Sequence, residues 1–189
     1  MVKLIEFYGP ASSGKTTMMH AVASKLSMGG NRVETIVEAV RHLNYDIAEM
    51  CSTPTGRKRM QIDIATTQMR LIKDAISRHP DYIVADRSMY DFVNYVELYI
   101  GTEDPTFVEV YQLFAKVYYE FLRGIESHIV IGLKSVGFVN DGLRYSADYS
   151  AEIVQFGSHE SKYCDAVIHT TDHDERVLQV MHHLNMSTK

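Results

Sequence analysis

The stretch Gly9-Pro10-Ala11-Ser12-Ser13-Gly14-Lys15-Thr16 determines how the rest of the chain is interpreted. It fits the P-loop, or Walker A, pattern Gly-x-x-x-x-Gly-Lys-Ser/Thr, in which glycines let the backbone wrap an anion and point amide hydrogens at phosphate oxygens. An apolar, strand-like run at residues 3–8 precedes it and a helical pattern at residues 16–26 follows it, as the motif requires. The sequence therefore predicts a binding site for the phosphates of a nucleoside triphosphate.

The residue types of the loop have distinct expected roles. Lys15 is expected to reach the β- and γ-phosphates, and the Thr16 hydroxyl is expected to ligate Mg²⁺. The start of the following helix adds the positive end of its dipole. We therefore expect ATP and Mg²⁺ as ligands. The predicted triphosphate-binding residues are Gly9, Pro10, Ala11, Ser12, Ser13, Gly14, Lys15, Thr16 and Thr17.

Composition and charge limit the class of protein. With 189 residues, of which 46% are hydrophobic and 23% charged, the chain has the size and composition of one globular domain. Its net charge of −5 gives no overall attraction to nucleic acid or to an anionic membrane. The two cysteines, Cys51 and Cys164, are far apart, which argues against a zinc site or a disulfide framework and favours a cytoplasmic protein. No apolar stretch approaches the roughly 18 residues that span a bilayer.

Strand-like and helix-like segments alternate along the chain. Strands are predicted at residues 3–8, 32–37, 82–85, 128–133 and 166–170, and helices at residues 16–26, 39–50, 57–79, 90–100, 106–127, 147–156 and 174–184. Such alternation predicts a parallel sheet with helices on both faces, because each crossover returns right-handed. We expect residues 1–189 to form one α/β domain with the five-stranded sheet of a P-loop NTPase. Ligands bind beyond the carboxyl ends of such strands, where the P-loop, Glu38, Asp86 and Lys134 all fall.

Asp86 follows the third predicted strand and is the candidate second acid of the site. A carboxylate there can hold Mg²⁺ or accept a proton from an attacking hydroxyl, although Asp is also a common cap for a helix such as the one starting near Ser88. The next residue, Arg87, is a cation and not the second acid of a water-activating ATPase, and the chain lacks the Asn-Lys-x-Asp motif of GTPases. A cation beside the reacting phosphates suits transfer to a bound acceptor. This arrangement favours a kinase.

Two other segments carry charged residues near the predicted site. Glu38 and Arg41 follow the second strand and would share a helix face, where they either orient an acceptor or form an exposed ion pair of little energy. The glycine-containing residues 134–148 are expected to form a lid. From it, Arg144 or Lys134 would reach the transferring phosphoryl group, the alternative being an ordinary turn with a solvated cation.

Taken in order, these pieces resemble a known family. The P-loop, Glu38-x-x-Arg41, Asp86-Arg87 followed by Asp91 and Tyr95, and Asp141-Gly142-Leu143-Arg144 are similar to the NadR-type P-loop kinases. That group contains the ribosylnicotinamide kinase domain and small AAA-like proteins, several of them phage-encoded. A more distant similarity runs to deoxynucleoside and thymidylate kinases, although their arginine-rich lid is missing. The resemblance implies a phage or bacterial ATP-dependent kinase with a nucleoside-type acceptor and with Asp86 as the strand-end acid.

The sequence leaves the acceptor open. We expect transfer of the γ-phosphoryl group to a hydroxyl or phosphate of a nucleoside or nucleotide. Asp86, Lys15, Arg87 and Arg144 are the predicted catalytic residues, and Glu38, Arg41, Asp91, Tyr95 and Arg57 the predicted acceptor-binding residues. The basic cluster at residues 57–59 either begins a solvated helix or binds phosphate, which keeps a hydroxyl on DNA or RNA, such as a polynucleotide end or a hydroxymethylated base, as an alternative acceptor. A nucleotide-binding regulator or slow ATPase is the alternative of another class, and a homodimer is left open.

Overall fold

The structure is a computed structural model that describes residues 2–44, 46–137 and 149–187. Positions 1, 45, 138–148 and 188–189 lie outside these residues. Arg144 and the rest of the predicted Asp141–Arg144 motif are therefore outside the described residues, as is most of the predicted lid at residues 134–148. The lid and the extent of the domain stay predictions.

Five strands and seven α-helices account for most of the described chain. The strands are β1 (Val2–Tyr8), β2 (Val33–Ile36), β3 (Tyr82–Ala85), β4 (Ile125–Leu133) and β5 (Ala166–Ile168). The helices are α1 (Lys15–Met28), α2 (Ile47–Cys51), α3 (Pro54–Ser77), α4 (Met89–Tyr99), α5 (Pro105–Leu122), α6 (Tyr149–Tyr163) and α7 (His173–Ser187), and a short 3₁₀ helix spans Ala39–His42.

The strands form one parallel sheet in the order β2-β3-β1-β4-β5. The predicted five-stranded parallel sheet is confirmed. Strand β1 is central, with Glu6 opposite Ala85 of β3 and Tyr8 opposite Gly132 of β4. The segments that follow β1, β3 and β4 consequently leave the sheet at the same edge, so the topology alone brings the P-loop and Asp86 together.

Helices cover both faces of the sheet, as predicted. Side chains alternate along β1: Ile5 and Phe7 pack in a buried cluster with α1 and α7, whereas Leu4 belongs to a cluster with α3 and Tyr8 to one with α6. A further buried cluster joins α3, α4 and α5. Within the described ranges, no helix combines the length and the apolar character needed to cross a membrane.

The predicted helix over residues 39–50 is wrong in its extent. Residues 39–42 form the 3₁₀ helix, and a separate α2 begins at Ile47. The side chain of Asp46 caps α2 by accepting from the amide of Glu49, and this Asp-x-x-Glu spacing is the local signal for a new helix start. Glu38 therefore precedes a 3₁₀ helix and is not part of an α-helix that it shares with Arg41.

The boundary between α5 and β4 and the end of α6 also differ from the prediction. The predicted helix over residues 106–127 ends at Leu122, and β4 begins at Ile125, because pairing of Ile125 with Val2 extends the sheet into a segment whose polar residues look helical in isolation. Helix α6 continues past Gly157 to Tyr163, whereas the sequence predicted an end at residue 156. A glycine inside a helix costs only about 1 kcal/mol, which packing of Phe156 readily offsets.

Candidate active site

The P-loop joins the end of β1 to the start of α1, and its backbone conformation explains its glycines. Gly9 has a φ of +151°, and a Cβ there would lie 2.5 Å from the carbonyl oxygen of Leu133, so only glycine fits. Gly14, directly before α1, has a φ of +82°. Ser12 is also left-handed, with a φ of +56°, a strained conformation that persists where the surroundings hold it. The loop is tightly wound at the edge of the sheet.

Lys15 is the first residue of α1 and is 5% exposed. Its Nζ donates to the carbonyl oxygens of Gly9 at 2.7 Å and Pro10 at 2.6 Å, and to Oγ of Ser13 at 3.2 Å. Burial, and after it the charge of Arg87, lower the pKa of Lys15 from 10.5 to about 8. The ammonium group therefore lies against its own loop and is mostly charged at neutral pH.

Thr16 and Asp86 meet across the site. The hydroxyl of Thr16 donates to Oδ2 of Asp86 at 2.5 Å. Asp86 is buried directly after β3, and its amide donates to the carbonyl of Ile36 in β2, which fixes its position. The cap of α4 is Ser88, whose hydroxyl accepts from two amides of the first helical turn. The alternative role of Asp86 as the cap of this helix is therefore wrong.

The Thr16–Asp86 pair suits a magnesium ion. Mg²⁺ takes oxygen ligands and is usually held by one or two protein side chains together with substrate phosphates. A hydroxyl and a carboxylate side by side, at the N-terminal end of α1, fit this donor set. Thr17, also predicted to bind the triphosphate, is exposed on the first turn of α1.

Arg87 is the centre of a buried cluster of charged and polar side chains. Its Nε donates to Oε1 of Glu38 at 2.5 Å, and its Nη1 donates to Oδ2 of Asp91 at 3.4 Å and to the hydroxyl of Tyr95 at 3.2 Å. The guanidinium also lies over the Tyr95 ring, 5.1 Å from its centroid. Asp91 accepts from the amide of Gly9 at 3.2 Å. The cluster is therefore bonded directly to the P-loop.

The charges of this cluster are strongly coupled. Burial alone would raise the pKa of Glu38, but the positive charges of Arg87 and Lys15 outweigh it and hold that pKa below its usual value. Burial would likewise lower the pKa of Arg87, yet Glu38 and its other neighbours raise it well above the usual range. For Asp91, burial dominates over Lys15 and Arg87 and raises the pKa to about 7. Glu38 is therefore an ionised carboxylate beside a permanent cation, whereas Asp91 titrates near neutrality.

Glu152 and Tyr99 belong to the site, and sequence reasoning missed both. Glu152, in α6, is 5% exposed, and its Oε2 accepts from the amide of Ala11 at 3.2 Å and from the hydroxyl of Tyr95 at 3.3 Å. Its Oε1 accepts from the hydroxyl of Tyr99 at 2.8 Å. Asp91, Tyr95 and Tyr99 are spaced four residues apart and share one face of α4, which is the signal that could have found Tyr99. Glu152 has no comparable signal in the sequence.

Gln68 is a third residue that the sequence analysis did not single out. It lies in α3, is 0% exposed, and donates from Nε2 to the carbonyl of Arg87 at 3.3 Å. Its Oε1 has no hydrogen-bond partner among the described residues. A buried amide oxygen left unpaired is costly and marks a position where a partner is expected. A glutamine on the mostly apolar face of α3 was the available signal, although Gln61 shares that face.

The side chains of the basic cluster at residues 57–59 are bonded to neighbouring groups of the protein. Arg57 donates to a backbone carbonyl, and the other two cations form ion pairs. The contacts are Arg57 Nη1 to the Cys51 carbonyl at 2.7 Å, Lys58 Nζ to Asp104 Oδ2 at 2.5 Å and Arg59 Nε to Asp63 Oδ2 at 3.6 Å. These contacts do not bring Arg57 to the buried cluster around Arg87.

Two further predicted residues lie at the border of the site. Arg41 has a side chain 39% exposed, with Nε 3.9 Å from Oε2 of Glu38, so it approaches the cluster from its open side. Lys134 follows β4 as expected, but its Nζ is bonded to Oε2 of Glu160 at 2.6 Å. Its role as a cation that reaches the transferring phosphoryl group would need this ion pair to break.

Solved structures share this fold. The chain superposes on deoxyadenosine kinase from M. mycoides with bound dATP with a TM-score of 0.68 and 19% identity, over 98% of this chain and 100% of that chain. The same kinase with bound dCTP gives a TM-score of 0.66 and 18% identity, over 97% and 99%. Shikimate kinase from Acinetobacter baumannii in complex with shikimate gives 0.52 and 15%, over 100% and 93%. At such identities the likeness establishes the fold, which is that of small P-loop kinases.

Sequence comparison gives the family. A search of curated proteins gave no match. In contrast, the family described as "AAA domain" matches residues 4–175, which include the P-loop, the Asp86-Arg87 pair, and all of the buried cluster around Arg87. Because this match covers nearly the whole chain, the protein belongs to the AAA-domain family of P-loop proteins.

Proposed function

We propose that this protein is an ATP-dependent kinase that transfers the γ-phosphoryl group to a hydroxyl of a nucleoside-type or nucleotide-type acceptor. The observation that carries the proposal is the buried cluster of Glu38, Arg87, Asp91 and Tyr95 beside the P-loop. A protein that transfers phosphate only to water has no need of a second group of buried polar side chains beside the P-loop. A kinase needs one, because it must hold an acceptor next to the γ-phosphate.

The phosphate side would hold the donor. The loop amides and Lys15 would bind the triphosphate, with Lys15 exchanging the carbonyls of Gly9 and Pro10 for phosphate oxygens. Thr16 and Asp86 would hold Mg²⁺. When bound, this ion neutralises charge on the phosphates and orients them for in-line transfer.

The hydrogen bond between Thr16 and Asp86 favours one of the two roles predicted for Asp86. Because Asp86 accepts from the hydroxyl that would ligate Mg²⁺, it would help to hold the ion and would be less available to the acceptor. The proton of the acceptor hydroxyl would then go to Glu38, whose Oε1 is bonded to Arg87 while Oε2 lies 3.9 Å from the nearest Arg41 nitrogen. Arg87 would keep Glu38 ionised and would orient the acceptor oxygen and the transferring phosphoryl group.

Two features support an acceptor that carries a base and a sugar. Gln68 offers a buried amide oxygen without a partner among the described residues, a suitable acceptor for an N–H group of a base. The rings of Tyr95 and Tyr99 stack with centroids 5.8 Å apart, and their hydroxyls converge on Glu152, a polar edge suited to sugar hydroxyls. A hydroxyl on DNA or RNA has less support, because the cations of residues 57–59 are already bonded to neighbouring groups.

A transfer assay with γ-labelled ATP tests the proposal. The acceptor panel holds nucleosides, nucleoside monophosphates, ribosylnicotinamide, 5′-hydroxyl oligonucleotides and DNA with hydroxymethylated bases. Label should appear in a nucleoside or nucleotide and should be lost with Glu38→Gln. Label in an oligonucleotide would support the kinase activity but would show that the acceptor is a polynucleotide. Label found only as free phosphate, with ATP still bound, would overturn the kinase proposal in favour of a regulator or slow ATPase.

A further inference from the structure

The back of the P-loop is held by a residue from the far end of the chain. Arg176 lies in the first turn of α7 and is 3% exposed. Its three donor groups each reach a different backbone carbonyl: Nε bonds to Thr170 at 2.6 Å, Nη1 to Ser13 at 2.7 Å and Nη2 to Lys134 at 2.8 Å. One guanidinium therefore ties together the β5–α7 connection, the P-loop and the segment after β4.

These bonds act on the carbonyl side of the loop. The carbonyl of Ser13 is held by Arg176, and that of the preceding Ser12 accepts from the amide of Val136 at 3.3 Å. With these two carbonyls fixed toward the protein, the intervening peptide planes are fixed as well, and the loop amides stay oriented for phosphate. The strained left-handed conformation of Ser12 is thereby held by contacts from outside the loop.

The charge of Arg176 has no carboxylate partner within the part of the chain that the structure describes. Its guanidinium bonds to neutral carbonyls instead. Burial lowers the pKa of Arg176 from its usual range, without any contribution from an acid. A Cβ added to Gly14 would lie 3.3 Å from Nη1, so the cation is in contact with the backbone that would cradle the phosphates. An unpaired buried charge is unfavourable until an opposite charge arrives.

We propose that Arg176 is a positioning residue of the phosphate site: it orients the P-loop through the Ser13 carbonyl, and its charge is neutralised by the phosphates of the bound nucleotide. The inference rests on the proposed function only for the assumption that the P-loop binds a triphosphate. It does not depend on the identity of the acceptor. Because the guanidinium lies behind the loop, it acts on the phosphates through its electrostatic field and through the loop backbone that it orients, and not by direct contact.

The test is nucleotide binding by titration calorimetry, without acceptor, for Arg176→Lys and Arg176→Gln. Arg176→Gln removes the charge and most of the bonds, and we expect the Kd for ATP to rise about 30-fold and that for ADP about 10-fold, because ADP carries less charge. Arg176→Lys keeps the charge but cannot bond three separate carbonyls, and we expect a rise of about fivefold for ATP. Inorganic triphosphate should follow ATP, since the effect is on phosphates and not on the base.

Glu175→Gln is the matched control. Glu175 lies on the same turn of α7, contacts Thr170 through its side chain and is exposed, so its loss should change the Kd for ATP less than twofold. Circular dichroism and the melting temperature establish that each variant is folded. ATP affinity within twofold of the parent in both Arg176 variants would overturn the inference. Equal losses for Lys and Gln, or equal losses for ATP and ADP, would reduce Arg176 to a structural residue and would also overturn it.

The outcome is separable from that of the proposed function. Loss of ATP affinity in Arg176→Gln with no labelled acceptor in the panel would support the inference while the kinase proposal fails. Unchanged ATP affinity with a labelled nucleoside would leave the kinase proposal intact and remove Arg176 from the phosphate site.

Discussion

The proposed phosphate side and the proposed acceptor side of this site are built in different ways. The phosphate side, residues Gly9–Thr16, is one continuous peptide that uses backbone groups and a single charged side chain, Lys15. The acceptor side consists of Glu38, Arg87, Asp91, Tyr95 and Glu152, which come from the β2–3₁₀ connection, the β3–α4 connection, α4 and α6. A loop that binds through its backbone tolerates many sequences, whereas a site built from side chains is specific to its ligand. The donor is consequently easier to infer than the acceptor.

This division predicts that donor binding and phosphoryl transfer can be separated by mutation. Substitutions on the acceptor side should leave ATP affinity nearly unchanged while transfer falls. Asp86 lies at the boundary, because it contacts Thr16 of the phosphate side and directly precedes Arg87 of the acceptor side. Its substitution should therefore have the largest effect on transfer.

Asp86→Asn should abolish transfer and spare ATP binding. The amide keeps the shape of the side chain but removes the negative charge that would organise Mg²⁺, and we expect kcat to fall at least about 10³-fold. Calorimetric titration of ATP without Mg²⁺ should give a Kd within about threefold of the parent. Transfer of γ-label that survives within about tenfold would show that Asp86 is neither the base nor the metal-organising acid.

Glu38→Gln should give the next largest effect. If Glu38 accepts the proton of the acceptor hydroxyl, kcat should fall by about 10²- to 10³-fold, within the range of general base catalysis, while the Kd for ATP stays within about twofold. The readout is γ-label transfer to the acceptor found with the panel.

Glu34→Gln is the matched control for this change. Glu34 is also a carboxylate of the β2 region paired with an arginine, Arg78, at 2.9 Å, but that pair is on the surface. Surface ion pairs contribute at most about 1 kcal/mol, so both transfer and the free energy of unfolding should change little. A loss of transfer in Glu34→Gln equal to that in Glu38→Gln would mean that Glu38 acts through the fold and not at the acceptor.

The contrast between the two sides also explains what the sequence could predict. The P-loop was recognisable because its residues are contiguous and its glycines occupy positions whose backbone conformation requires glycine. Glu38 and Arg87 were found because strand ends are recognisable and a parallel sheet brings them to one edge. Asp91 and Tyr95 were found through the family resemblance. Their partners were not found: Glu152, Gln68 and Arg176 lie within helices, where a single polar residue looks like any other surface position. Only the packing of α6 and α7 against the P-loop, and of α3 against the β3–α4 connection, buries them.

The same reasoning applies to the secondary structure. Strand β3 was predicted to the residue because Tyr82–Ala85 is apolar and lies between a turn and Asp86. The start of β4 was missed because it depends on pairing with Val2, far away in the sequence. The separate start of α2 at Ile47 had a local signal in the Asp46 cap, which the helical pattern around it obscured. Local signals were thus sufficient for most elements but not for those that the sheet imposes.

The pKa of Lys15 predicts a pH effect confined to the phosphate side. In the free protein this pKa is about 8, below the usual 10.5, and bound phosphates would raise it. Above pH 8 the free protein loses the charge that ATP requires, so the Kd for ATP should rise by up to tenfold per pH unit. Between pH 8 and 10.5 the unfolded chain binds more protons at Lys15, so the free energy of unfolding without nucleotide should rise in the same window.

Lys15→Arg isolates this effect, because arginine stays charged over the whole range. Its Kd for ATP, although higher than that of the parent, should be nearly independent of pH between 7 and 9.5. A parent protein whose ATP affinity is equally flat would contradict the assignment of the lowered pKa to the group that binds phosphate.

The smallest expected effect concerns Glu152, the residue that joins the two sides. Its Oε2 accepts from Ala11 of the P-loop and from Tyr95 of the acceptor side. Burial raises the pKa of Tyr95, so the phenol stays protonated and able to donate. Tyr95→Phe and Glu152→Gln should each raise the KM for the acceptor about fivefold, and Glu152→Gln alone should also change the Kd for ATP, by about twofold.

A double-mutant cycle determines whether Glu152 couples the two sides. Because the Tyr95–Glu152 bond is lost in either single variant, the double variant should be less impaired in acceptor KM than the product of the two, with a coupling energy of about 1 kcal/mol. Measured on ATP binding, the same cycle should give no coupling, since the hydrogen bonds of Tyr95 go to Arg87 and Glu152 and not to the P-loop backbone. Coupling on ATP binding as strong as on the acceptor would mean that the two sides form a single unit, and that the separation of donor and acceptor binding does not hold.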